Sequence, residues 1–302
     1  MFAVTILGNN SALPMHDRHP TAQVVTYKDQ CFLIDCGEGT QLQMNTFKIR
    51  KSRISHIFIS HLHGDHYFGL FGLINSMGLN GRKEPLYIFG PAALKPLLHH
   101  IFEASETILP FSIHIHPILA EGLIWEGPAI TISAFTVFHR IECWGFLFKE
   151  REKPRKINVE KVRAYDIPNA YLQQLKNGAD YERKDGTLIP NEELTFPGTE
   201  PRSYAYCADT RFEPEKLCPI LKDCSLLYHE STYLKSEHEK AIAHNHSTAE
   251  EAAIIAAQAN AKRLIIGHFS SRYIDLNPFL EEANAFFPKT DLAIEGTTYI
   301  VG

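Results

Sequence analysis

The chain has 302 residues, 44% hydrophobic and 22% charged, an ordinary globular composition that excludes global disorder. No apolar run approaches the roughly 20 residues that span a bilayer, and the opening MFAVTILGNN lacks the basic segment and long apolar core of a secretory signal, so no membrane contact and a cytoplasmic location are expected. A formal net charge of −5 gives no global basic signature for nucleic acid, although a local patch would suffice.

Short apolar runs rich in β-branched and aromatic residues predict strands over 2–7, 23–27, 31–35, 56–60, 86–89, 130–137, 145–148, 203–207, 225–228, 263–266 and 298–301. Helical patterns fall at 69–77, 91–102, 248–260 and 278–286. The best of them is 248–260, where Ser247 or Thr248 can cap, Glu250 and Glu251 fill the first turn, and alanine dominates the interior. Mixed strands and helices predict an α/β class with sheets covered by helices. Residues 149–196 read differently. They are polar, broken by Pro154, Pro168, Gly178, Gly186 and Pro190, and they open with seven basic residues between Lys149 and Arg163. That composition predicts an excursion from the core. The six cysteines form no CxxC pair and several sit in apolar runs, so reduced, buried thiols are expected.

Among 16 histidines, position matters more than number. The run SHLHGDHYFGL, residues 60–70, follows a predicted strand and precedes a helix. His61 and His63 can face one way at the strand end, and Asp65 and His66 follow at the turn. A core role explains one such side chain more easily than it explains all of them together. This run resembles the HxHxDH signature of the metallo-β-lactamase superfamily. The resemblance implies an αββα four-layer fold whose remaining ligands end later strands. His139 closes ITISAFTVFH, Asp209 follows YAYCAD, and His268 follows LIIG. A dinuclear site is then implied, with His61, His63 and His139 on one metal, Asp65, His66 and His268 on the other, and Asp209 between them. Imidazole plus carboxylate favours two zinc ions per chain, with manganese or iron as alternatives. Asp35, at a strand end, is a candidate partner for a ligand histidine.

Further stretches narrow the likeness. IDCGEGTQLQM (34–44), YHEST (228–232), HNHSTAEEAA (244–253) and HFSSRY (268–273) are similar to motifs of the ribonuclease Z family of tRNA 3′-processing endonucleases. The 149–196 segment lies where that family carries its tRNA-binding arm, inserted in a single catalytic domain spanning 1–302. Two departures stand out: Ile167-Pro168 is followed by Asn169-Ala170-Tyr171 rather than a Gly-Pro-rich segment, and Arg18 is followed by His19 rather than asparagine. The resemblance implies zinc-dependent hydrolysis of precursor tRNA by a homodimer. Asp65 would act as base, and His246 as proton donor, oriented by Glu230 or His229. Ser270, Ser271 and Arg272, with Arg155 and Lys156 on the arm, are candidate phosphate contacts. Phe269 and Tyr273 could stack a base or pack. The alternatives are a superfamily hydrolase of small phosphodiesters or esters, and a non-catalytic RNA-binding protein on the same scaffold.

Overall fold

Two seven-stranded sheets organise the computed structural model, which describes residues 1–302. The strands are β1 (Phe2–Gly8), β2 (Ala22–Tyr27), β3 (Gln30–Ile34), β4 (Ile54–Phe58), β5 (Leu86–Gly90), β6 (Ile113–Pro117), β7 (Gly122–Glu126), β8 (Ile130–Thr136), β9 (Trp144–Glu150), β10 (Ser203–Cys207), β11 (Leu226–Glu230), β12 (Leu264–Gly267), β13 (Thr290–Leu292) and β14 (Thr298–Ile300). The first sheet runs β14-β1-β2-β3-β4-β5-β6 and the second β13-β12-β11-β10-β9-β8-β7. Strands β3 to β6 are parallel, as are β10 to β13.

The helices are α1 (Thr40–Thr46), α2 (Leu70–Leu79), α3 (Leu94–Ala104), α4 (Pro214–Leu221), α5 (His238–His244), α6 (Ala249–Gln258) and α7 (Asn277–Asn284). Side-chain alternation along the strands sets the layers. Phe32 and Phe58 turn inward and meet Phe148 and Phe146 of the second sheet, with ring centroids 5.7 and 5.5 Å apart. Their neighbours Leu33 and Ile57 turn outward, into a cluster with Leu70, Leu73, Ile74 and Met77 of α2 and Leu94 and Leu98 of α3. Helices α6 and α7 pack on the second sheet. The order helix, sheet, sheet, helix is the layering that the sequence motifs imply. Thr248 caps α6, accepting from Glu251 N–H while the Glu251 carboxylate accepts from Thr248 N–H. No helix is long and apolar enough to cross a membrane. All six cysteines are free and five are buried.

The chain divides into two compact units. The sheets and these helices lie in Met1–Glu126, Thr131–Phe148 and Ser203–Gly302. The second unit, Gly127–Ile130 with Lys149–Arg202, overlaps the polar excursion and is more than a loop. Val162, Ile167, Leu175, Ile189 and Leu194 form its own small core, with helices at Val159–Ala164 and Leu172–Lys176. At its base the buried Glu150 carboxylate accepts from Arg202 Nη2 at 2.8 Å and Nε at 3.1 Å, a two-pronged pairing.

Candidate metal centre

Open α/β sheets bind ligands beyond the carboxyl ends of their strands, and the chemistry-bearing residues collect there. Asp35 follows β3, His61 follows β4, Asp209 follows β10, Glu230 ends β11 and His268 follows β12. Strand β4 stops at Phe58, two residues before the expected end at 60. This frees 59–63 to run extended into the single helical turn Gly64–Tyr67 that carries Asp65 and His66. Asp35 and His268 adopt left-handed backbone angles, φ 53° and 62°, a conformation that aspartate and histidine tolerate better than most residues.

Outer partners fix which imidazole nitrogen is left bare. His66 Nδ1 donates to Asp35 Oδ2 at 2.7 Å, and His139 Nδ1 to the Asn245 carbonyl at 3.1 Å. His61 Nδ1 lies 3.0 Å from Ser60 Oγ, whose own proton goes to Asp35 Oδ2 at 2.8 Å. His268 Nδ1 lies 2.9 Å from Thr232 Oγ1, whose proton goes to Glu230 Oε2 at 2.8 Å. Nδ1 therefore carries the proton in all four, and each Nε2 is a lone pair.

Those lone pairs converge. His61 Nε2 and His139 Nε2 lie 3.0 and 3.1 Å from His63 Nδ1, and His66 Nε2 lies 3.3 Å from His268 Nε2. Asp209 Oδ2 is 3.6 Å from His61 Nε2 and 3.8 Å from His139 Nε2. Its Oδ1, buried without a hydrogen bond, is 3.2 Å from His268 Nε2 and 3.4 Å from His66 Nε2. Asp65 Oδ2 approaches His268 Nε2 at 3.4 Å and is held by the Ala12 N–H at 2.8 Å. These donors form two groups, His61, His63, His139 and Asp209, and Asp65, His66 and His268, with one Asp209 oxygen toward each, and Asp209 and His268 also group with His246. Bare nitrogens this close repel one another unless a cation lies among them. The donor set therefore fits divalent metal.

The electrostatics agree. Burial, then the neighbouring imidazoles, push His61 well below its ordinary pKa and His63 down to about 4, the neutral form that a ligand needs. At His66 burial is outweighed by Asp209, Asp65 and Asp35, which push it up, so proton and cation compete for one nitrogen. Burial opposes ionisation of Asp65 and Asp209, but the imidazoles hold both below the usual carboxylate range.

A cleft of about 480 Å³ opens over the donors, lined among others by His63, Asp65, Asp209, His246, Phe68 and Arg140. His246 Nδ1 donates to Glu230 Oε1 at 2.8 Å, which leaves its Nε2 for the cleft. Burial lowers His246, but Glu230, Asp209 and Asp65 together lift it to about 9. Of the two candidate partners for His246, Glu230 is in place. His229 points elsewhere, donating from Nδ1 to the Glu230 carbonyl at 2.7 Å. Ser270, Ser271 and Arg272 do not line the cleft. Arg272 is engaged by Glu237 at 3.1 Å, Ser270 N–H donates to Thr232 O, and Ser271 O accepts from His16. Arg155 donates to Thr195 Oγ1 at 2.7 Å and Lys156 lies in a two-residue strand, both in the second unit. Phe68 and Arg140 in the cleft wall carried no sequence signal beyond their closeness to His66 and His139.

Known proteins narrow the reading. A ribonuclease Z from Porphyromonas gingivalis is 45% identical over 296 residues, covering 97% of this chain and 97% of that one. The chain belongs to the ribonuclease Z family. A crystal structure of the human short-form tRNase Z covers 99% of each chain, with 27% identity and a TM-score of 0.73. A metallo-β-lactamase fold protein from Bacillus subtilis shares the architecture at 17% identity and a TM-score of 0.70. Residues 2–109 also match the family model of the anti-Pycsar protein Apyc1. This ribonuclease Z family member therefore has the metallo-β-lactamase fold, and its cluster of histidines and aspartates is suited to divalent metal.

Proposed function

We propose that this chain is a metal-dependent endoribonuclease that removes the 3′ trailer from precursor tRNA, leaving a 3′-hydroxyl on the tRNA and a 5′-phosphate on the trailer. One observation carries the reading: in a ribonuclease Z family member, His63, Asp65 and Asp209 of the seven-residue donor cluster line one cleft together with His246, which is backed by Glu230. The loading we propose is two zinc ions, one on His61, His63 and His139 and one on Asp65, His66 and His268, with Asp209 shared; manganese or iron are alternatives. Bound there, divalent ions polarise a phosphoryl group and make a water more acidic.

The chain's own groups do the rest. Asp65 stays ionised and is held in place by the Ala12 N–H, so it can take a proton from the attacking water. His246, kept protonated chiefly by Glu230, gives a proton to the departing 3′-oxygen. Arg140, exposed on the cleft wall, offers its guanidinium to phosphate. The arm, residues 149–196 with Arg155 and Lys156, grips the tRNA body by backbone and shape, and the protein works as a cytoplasmic homodimer. The test is incubation with a 3′-extended precursor tRNA and end mapping. A cut at the junction of body and trailer supports the proposal. Intact tRNA beside turnover of bis(p-nitrophenyl) phosphate would favour a small-phosphodiester hydrolase.

A further inference from the structure

The cleft holds an aromatic side chain that neither the metal chemistry nor the proton transfer uses. Phe68 follows the helical turn Gly64–Tyr67 and is 59% exposed, and its ring lines the same cleft as His63, Asp65, Asp209 and His246. Single exposed apolar side chains are common, but this one stands on the wall of the reaction site. Its ring is also firmly seated. A Cβ at Gly64 would lie 2.3 to 2.7 Å from ring atoms Cε2, Cδ2 and Cζ, so the ring lies against the Gly64 backbone where only glycine leaves room. The Tyr67 ring meets it edgewise, with centroids 4.9 Å apart. Gly64 sits between His63 and Asp65, which places the ring beside the scissile centre.

The two aromatics that the sequence offered as base contacts are not available. Phe269 is fully buried against Phe279, with ring centroids 4.8 Å apart. Tyr273 packs edgewise on Phe279, and its hydroxyl accepts from Leu234 N–H at 3.3 Å. Phe68 alone offers a ring to the cleft. Unpaired bases bind aromatic faces whatever their sequence, because every base has a π-face. Such a contact would hold an unpaired nucleotide of any base.

We propose that Phe68 is a base-stacking subsite for an unpaired nucleotide flanking the scissile phosphate. The inference rests on the precursor-tRNA reading above. The test measures kcat/KM of wild type, Phe68→Ala, Phe68→Leu and Phe68→Trp on a 3′-extended precursor tRNA. Two further substrates carry an abasic nucleotide immediately 5′ or 3′ of the cleavage site. Phe68→Ala and Phe68→Leu should lose about 5–150-fold, the worth of one base–aromatic stack, and Phe68→Trp should stay near wild type. On one of the abasic substrates the wild type and Phe68→Ala should become equal. Bound metal and circular dichroism should be unchanged in all variants. A wild type that does not cut precursor tRNA would overturn the functional reading and this inference with it. A wild type that cuts, beside an Phe68→Ala enzyme that is equally fast, or whose deficit persists on both abasic substrates, would overturn the stacking subsite alone. Full rescue by leucine would do the same, since leucine packs but does not stack.

Discussion

Replacing Asp35 with asparagine tests the tautomer argument at its source. Asp35 Oδ2 accepts from the Tyr206 hydroxyl at 2.6 Å, His66 Nδ1 at 2.7 Å and Ser60 Oγ at 2.8 Å, while Oδ1 accepts from Ser60 N–H at 2.7 Å. Asparagine keeps one acceptor, which the Ser60 N–H claims, and turns an amide N–H₂ toward three former donors. His66 must then move its proton to Nε2, the atom that faces the donor cluster. Ser60 loses the acceptor that let it receive the His61 proton. One histidine of each donor group is disturbed, so both cations should bind more weakly. Loss of such an outer partner costs about 10–100-fold in metal affinity, and that is the expected loss for each equivalent. Alanine is a poorer probe. It would strand the same buried donors at about 1–3 kcal/mol each, against a total stability of about 5–15 kcal/mol. The assay is competition between apoprotein and a chromophoric zinc chelator, with circular dichroism to show that the fold is kept. An Asp35→Asn protein that holds both zinc equivalents with wild-type affinity would refute the reasoning.

His246→Ala should slow single-turnover cleavage of precursor tRNA by roughly 10²–10⁴-fold while metal content stays at the wild-type level; an unchanged rate when chemistry is limiting would reduce His246 to a structural role. Joining Glu150 to Arg202 with a short Gly/Ser turn keeps their mutual pairing and removes the arm. That variant should retain its metals but bind precursor tRNA more weakly, and each lost phosphate contact should flatten the slope of log affinity against log salt by roughly 0.7–0.9. Unchanged affinity and slope would send the search for tRNA contacts elsewhere. The Arg202 hydrogen bonds hold the Glu150 carboxyl down at about 2. A depressed folded-state pKa stabilises above the unfolded value, so this contribution is complete above about pH 4.3 and fades as pH falls toward 2. Denaturant titrations between those limits should show a gentler loss for Glu150→Gln than for wild type; parallel curves would remove Glu150 as the cause.

The clustered histidines and aspartates were legible because so many lie in one short run and the others end apolar strands, a pattern local enough to read. The strands that escaped notice are different in kind. Ile113–Pro117 (IHIHP), Gly122–Glu126 (GLIWE) and Thr290–Leu292 (TDL) lie at sheet edges, exposed enough to carry polar residues, so apolar stretches there are interrupted or, as at 123–125, only three residues long. The polar excursion hid a core because Val162, Ile167, Leu175, Ile189 and Leu194 are spread thinly among charges. Strand alternation alone could have separated Glu230 from His229, since neighbours on a strand face opposite sides. The cleft wall was not legible. Phe68, Leu13 and Arg140 line one cleft only when distant loops fold together, and Arg272 turned out to be engaged by Ser270 and Glu237 while the Ser271 carbonyl accepts from His16.

Glu230 receives His246 on one oxygen and Thr232 on the other, and Thr232 in turn orients His268. A single carboxylate thus stands behind both His246, the proton donor proposed above, and His268, one of the proposed metal-holding residues. For descent with modification this is a lock. A substitution at position 230 that retuned the proton supplied to a new leaving group would loosen the metal in the same generation. A lineage shifting its substrate must therefore change Thr232 or His268 alongside, or leave Glu230 untouched and vary the cleft wall at Phe68 and Arg140, where no such double duty exists.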